Sequence, residues 1–130
     1  MIRSHSLVLS LALGLLAAAP AAAQTQAQMN QTAATQYRLA DATMAGQWRR
    51  TYAAMKARDG RDRSRGGGFG YAAATLASQR AWLAFRDAQC TIEGGEFAGG
   101  SMQPLAQIQC KTRLTNERTT QLRSLSWTDR

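Results

Sequence analysis

Glu93 and Glu96 stand three residues apart in a glycine-rich stretch, Thr91-Ile-Glu-Gly-Gly-Glu-Phe-Ala-Gly-Gly-Ser101. A carboxylate pair can cleave a glycosidic bond when both groups are rigidly held. On a glycine-rich loop they would be poorly placed for catalysis. The sequence has one histidine, His5, and it falls in an N-terminal segment read below as removed. With no imidazole, and with Cys90 and Cys110 as its two cysteines, the chain offers neither a nucleophilic triad nor a common metal site once those cysteines are oxidised. We therefore expect no enzyme, no metal and no cofactor. The other chemistry-bearing group is cationic: Arg49, Arg50, Lys56, Arg58, Arg61, Arg63 and Arg65 place seven cations in 17 residues, against Asp59 and Asp62. Such a run can contact an anionic polymer, or it can be a solvated helix end where cations suit the helix dipole. The glycines beside it do not form a phosphate cradle, because no Gly-Lys-Ser/Thr follows and no strand precedes.

The compartment decides how the cysteines behave. Arg3 and His5 precede an apolar core from Leu7 to Leu16; Pro20 then interrupts it, and Ala21-Ala22-Ala23 supplies small residues. That is the layout of a secretory signal with cleavage near Ala23. Leu7 to Ala23 is short of the roughly 20 strongly apolar residues of a membrane span, and no later segment could cross a bilayer. Residues 1–23 are thus expected to be a leader and residues 24–130 one domain, periplasmic or secreted. Losing Arg3 leaves 15 basic against 8 acidic residues, a net charge of +7. An exported basic protein rarely meets nucleic acid, so none is expected as partner; anionic envelope polymer or lipid headgroups fit better. In an oxidising compartment Cys90 and Cys110 read as a disulfide, stabilising the fold by about 3 kcal/mol on a chain-entropy estimate.

The elements that must position these groups are helical. Met29, Ala33, Tyr37, Ala40, Met44, Trp48, Tyr52 and Met55 recur every three or four residues, one face of a long helix with Arg38, Asp41, Arg49 and Arg50 off the stripe. Arg58 to Gly70 holds five glycines and four arginines and reads as a flexible link. A second helix is expected from about Tyr71 to Cys90, with Ala72, Leu76, Leu83 and Cys90 on one stripe and Thr75, Trp82, Phe85 and Gln89 on the next. A loop follows to Pro104, which suits the first turn of a third helix. That helix runs to about Leu125 on Leu105, Ile108, Leu114, Leu122 and Leu125. The sum is a small antiparallel three-helix bundle, all α, with one disulfide. The Cys90–Cys110 segment carries −2 and the remainder of the exported chain +9.

One ordered series crosses the last two helices: Gln79-Arg-Ala-Trp82-Leu-Ala-Phe-Arg86-Asp87-Ala-Gln-Cys90, Gly99-Gly-Ser101-Met102, Cys110, and Leu114-Thr115-Asn-Glu-Arg118. It resembles the LprI-like family, named for the N-terminal domain of a lysozyme inhibitor, most of whose members are small exported bacterial proteins. Met29-Asn30, Ala40-Asp41 and Met44 resemble that family's first helix, so the likeness covers about residues 24–125. The chain departs from it at Thr32, where members often carry a cysteine, at Met44-Ala45 in place of Leu-Asn, and in its Arg- and Gly-rich first link. Gln79, Trp82, Arg86, Asp87, Thr115 and Arg118 are read as a structural polar network around the disulfide. Trp82 and Arg86 share a helix face, so the guanidinium can lie over the indole; Asp87 is free to bond another neighbour, and Arg118 can reach Asp87 or a loop carbonyl. The resemblance implies an inhibitor of a lysozyme-type hydrolase; the candidate for the segment entering the cleft is the loop carrying Glu93, Glu96, Phe97 and Ser101, which is acidic, tethered at Cys90 and Cys110, and has one aromatic to anchor. The alternative is an envelope-associated protein binding anionic glycan or lipid through Arg49 to Arg65.

Overall fold

A computed structural model describes residues 20–126. Three helices make up the bundle: α1 (Pro20–Arg61), α2 (Tyr71–Gly95) and α3 (Gln103–Ser124), with one 3₁₀ turn (Ser64–Gly66) in the first link. The leader expected at 1–23 lies outside the described residues except for its last four, which begin α1. Among the described residues no helix is long and apolar enough to cross a membrane.

The chain runs up, down and up. Met44 and Asp41 on α1 meet Gln79 and Arg86 on α2, so these two helices are antiparallel. Gln79 meets Arg118 and Cys90 is bonded to Cys110, so α2 and α3 are antiparallel as well. The Thr51 hydroxyl donates to the Leu122 carbonyl at 2.9 Å. At the other end Met29 and Ala33 border a groove with Leu105, so α1 and α3 run parallel. The disulfide, with Cα atoms 5.5 Å apart, staples α2 to α3 beside Leu114 and Trp82.

The elements depart from the sequence expectations in register and length. On α1 the interior positions past Met44 are Gln47, Thr51 and Met55, while Trp48 and Tyr52 lie half-buried and stack on each other at 5.0 Å between centroids. A polar pair takes the inner track because Gln47 donates to Thr51, whose hydroxyl is in turn bonded to α3; both groups are satisfied and can be buried. Helix α2 does not stop at Cys90 but continues for five residues to Gly95. Gly94 is buried there, and a Cβ on it would come within 2.2 Å of Gln107 Cγ. This glycine serves a close helix–helix approach, not a loop. Nor do the two stripes expected on α2 both turn inward: Thr75, Gln79, Arg86, Cys90 and Gly94 are its buried residues, whereas Leu83 and Phe85 are exposed.

The Arg- and Gly-rich link is held rather than loose. Arg58 to Arg61 still belong to α1. Asp59 then accepts the N–H groups of Tyr71 at 2.6 Å and Ala72 at 2.9 Å. It caps α2 from across the link where the N-cap residue, Gly70, has no side chain to do so. Asp62 accepts from Ser64 N and Phe69 N. Those two amide bonds hold its carboxyl below the usual carboxylate range. Gly68 and Gly70 sit at φ +90° and +84°, the left-handed region that side chains disfavour.

Candidate functional site

The network motif comes together from both helices. Gln79, Trp82 and Arg86 lie three and four residues apart on α2, so they share the face turned to the bundle interior. Thr115 and Arg118 hold the matching face of α3. The Arg86 guanidinium, on a residue only 7% exposed, lies 5.2 Å from the Trp82 ring and 5.7 Å from the Tyr37 ring. Its Nε donates to Asp87 Oδ1 at 3.0 Å, and Nη1 is 3.6 Å from Asp41 Oδ1 and 3.5 Å from Thr115 Oγ1. Asp87 therefore binds its own sequence neighbour, together with Lys111 at 3.5 Å. Partial burial pushes the Asp87 carboxyl up, but the Arg86 hydrogen bond and the charges of Arg86 and Lys111 outweigh it and hold the group below the ordinary range.

Arg118 reaches neither Asp87 nor a loop carbonyl. Its Nε donates to Gln79 Oε1 at 2.9 Å, Nη2 to Ser78 Oγ at 2.9 Å and Nη1 to Gln121 Oε1 at 3.2 Å, with the guanidinium 5.8 Å from Trp82. Two guanidiniums thus share one indole. All three acceptors of Arg118 are neutral, and burial pushes this guanidinium down from its usual range. Gln79 completes the chain by donating to Met44 Sδ at 3.8 Å. Among the described residues every buried side-chain nitrogen or oxygen has a partner. The buried part of the cluster is therefore saturated, and the Asp87 carboxylate at its rim stays more than half exposed.

The partners that sequence reasoning missed are Tyr37, Asp41, Ser78, Lys111 and Gln121. Asp41 was placed off the α1 stripe, yet it faces α2. The spacing of Tyr37 and Asp41, four apart beside Met44, was the available signal.

The segment around Glu93 divides in two. Glu93 sits on the last turns of α2, where it accepts from Gln89 at 3.2 Å and from Arg113 Nη2 at 2.8 Å; these bonds hold its carboxyl down. Glu96 and Phe97 lie in the turn after α2, both exposed, and Ser101 at its far side is exposed too. That turn is ordered by its own backbone. Phe97 N bonds Gly94 O, Ala98 N bonds Gly95 O, Gly100 N bonds Phe97 O, and Gln103 N bonds Gly100 O. Gln103 also accepts the N–H of Gly99 through Oε1. An open groove of about 500 Å³ runs beside it, bordered by Ile92, Glu93, Glu96, Phe97 and Arg113, with Cys110 at its floor.

The cationic set lies at the opposite end. Arg49, Arg50 and Lys56 are exposed on α1 and Arg61 and Arg63 near the link, while Arg58 is half-buried over the Tyr71 ring at 4.9 Å. Lys56 lies over Tyr52 at 5.1 Å. The Arg65 side chain lies outside the described residues. Along α2, 25 residues separate the two ends by roughly 37 Å at 1.5 Å per residue. Among the described residues no group of three His, Cys, Asp or Glu side chains could hold a metal ion.

Comparison with known proteins adds two findings. A family model described as lysozyme inhibitor LprI matches residues 17–122. An uncharacterized protein of Rhizobium meliloti (strain 1021) is 38% identical over 104 residues, covering 79% of this chain and 75% of the relative. No solved structure matches.

Proposed function

This chain belongs to the lysozyme inhibitor LprI family, and from that premise we propose that it is an exported binding protein that inhibits a lysozyme-type cell-wall hydrolase through the disulfide end of its bundle. The observation that carries this reading is the ordered turn presenting Glu96 and Phe97 beside the groove. Glu93 is matched by Arg113, so Glu96 is the carboxylate left to meet a cation on the partner, and Phe97, 40% exposed, supplies the apolar anchor. A turn already closed by its own hydrogen bonds loses little freedom on binding, which favours affinity. The net positive charge of the rest of the chain slows approach to a basic hydrolase, so complementarity must be local.

The test is hydrolysis of cell-wall substrate by lysozyme in the presence of the purified chain, at two salt concentrations. Inhibition that survives moderate salt and falls on replacing Glu96 and Phe97 together by alanine supports the assignment. Glu93→Ala should act more weakly, through the loss of the Arg113 clamp. Unchanged inhibition by the double variant overturns the role of the turn.

A second reading places function at the cationic end, in contact with anionic envelope glycan or lipid. It is favoured by Asp59 and Asp62, whose carboxylates are committed to backbone N–H groups of the link. Binding of this kind weakens steeply with salt; absence of binding to anionic vesicles or glycan ends it.

A further inference from the structure

The outer face of α2 is unlike those of its neighbours. Outward positions on α1 include Arg38, Arg49, Arg50 and Lys56, and on α3 Arg113, Glu117 and Arg123, all exposed. On α2 the exposed side opposite Gln79 and Arg86 carries Ala77, Ala81, Ala84 and Ala88, flanked along one edge by Phe85 and Ile92, 53% and 71% exposed. At about 100° per residue, Arg80 and Asp87 fall together along the other edge. Both are exposed. An apolar face of this kind on one helix, edged by one cation and one anion, marks an interaction surface.

We propose that this face pairs with the same face of a second copy of the chain, the two α2 helices running antiparallel about a two-fold axis between residues 83 and 84. The charges choose the occupant and the direction. A closed two-fold contact needs one self-complementary patch. Arg80 and Asp87 lie equal distances along the chain on either side of that axis. An antiparallel two-fold also sets each edge of the helix against the same edge of its mate. Arg80 of each copy then stands level with Asp87 of the other, twice, while Phe85 meets Phe85 along the opposite edge. A parallel pair would set the charged edge against the apolar one. Asp87 can accept a further cation: Arg86 and Lys111 both reach it through Oδ1, and more than half of its side chain remains exposed. The alanines allow the backbones to come within about 8 Å.

Sedimentation of the purified chain from micromolar to millimolar concentration should show a monomer–dimer equilibrium. Phe85→Glu should weaken it at least about tenfold by placing two carboxylates together on the apolar edge. Arg80→Asp should weaken it about tenfold by setting like charges opposite each other. Because both side chains are exposed in the monomer, helicity and melting temperature should not move when measured at concentrations where the chain is monomeric. Direction is read by a short thiol cross-linker on single-cysteine additions. Ala84→Cys should link to itself, whereas Ala77→Cys should not, being separated from its mate by roughly 20 Å along the axis at 1.5 Å per residue. A monomer at all concentrations, a dimer indifferent to Phe85→Glu, or equal self-linking at both cysteines overturns the proposal; the last outcome would mean a parallel pair.

Discussion

Arg118 is the sharpest place to test how this bundle is held, because its charge is buried among neutral acceptors. Truncation to alanine removes three donors at once. The buried Gln79 Oε1 then lacks its partner, a cost of about 1–3 kcal/mol for an orphaned buried acceptor. Loss of the cation–π contact with Trp82 adds about 0.5–2 kcal/mol, and each buried methylene adds about 0.8 kcal/mol. Against these stands the relief of no longer desolvating a guanidinium that has no carboxylate beside it. The net expectation is a loss of about 3 kcal/mol. With a urea m-value of about 1.5 kcal/mol/M for a domain this size, the unfolding midpoint should fall by about 2 M, followed by helical circular dichroism at neutral pH with the disulfide intact. A double-mutant cycle with Gln79→Ala isolates the Arg118–Gln79 bond, whose coupling should be about 1.5–3 kcal/mol, as for hydrogen bonds to charged groups. Arg118→Lys should recover only a minor part, since an ammonium cannot serve the three divergent acceptors with a planar fork. A loss below about 1 kcal/mol for Arg118→Ala, or coupling under about 0.5 kcal/mol, would show that solvent or rearranged neighbours replace these bonds. The buried Arg118–Gln79 pair would then not be what holds α2 against α3.

Three further outcomes follow from other contacts. Asp59→Ala removes the cap on α2 and should cost about 1–2 kcal/mol in the same urea assay, with Asp59→Asn losing less; no change would mean the link does not fix the helix start. Asp87 has its carboxyl held down in the folded protein, so its contribution is present above the unfolded carboxyl value, about 3.9, and is lost as pH falls through the folded value. Asp87→Asn should therefore flatten the acid side of the stability–pH curve and leave its slope above pH 6 unchanged. Gly94→Ala and Gly95→Ala form a matched pair, since a Cβ at Gly95 meets nothing within 4 Å while one at Gly94 runs into Gln107. The first should melt lower than the second by an amount corresponding to about 1–3 kcal/mol of overpacking, and equal melting temperatures would show that Gln107 swings clear at no cost.

Much of this was legible along the chain. The three helices follow from apolar periodicity broken by two glycine-rich stretches, and Pro104 stands in the first turn of α3 as its fixed φ favours. The cysteine pair and the family resemblance follow from residue types and order. The Trp82–Arg86 contact follows from a spacing of four. Those are local consequences, set within a few turns of chain or by the identity of the side chains. The end of α2 was misplaced because a Gly-Gly pair reads as a helix breaker, and only the approach of α3 shows that Gly94 stays helical to make room for Gln107. The link was expected to be loose because its composition is; Asp59 orders it by reaching Tyr71 and Ala72 across 12 and 13 residues. Whether Arg118 would face Asp87 or Gln79, and whether Gln47 and Thr51 or Trp48 and Tyr52 would face inward, depended on the relative rotation and height of three packed helices. Periodicity leaves that rotation free by several tens of degrees, and it is settled only when each buried polar atom must find a partner on another helix.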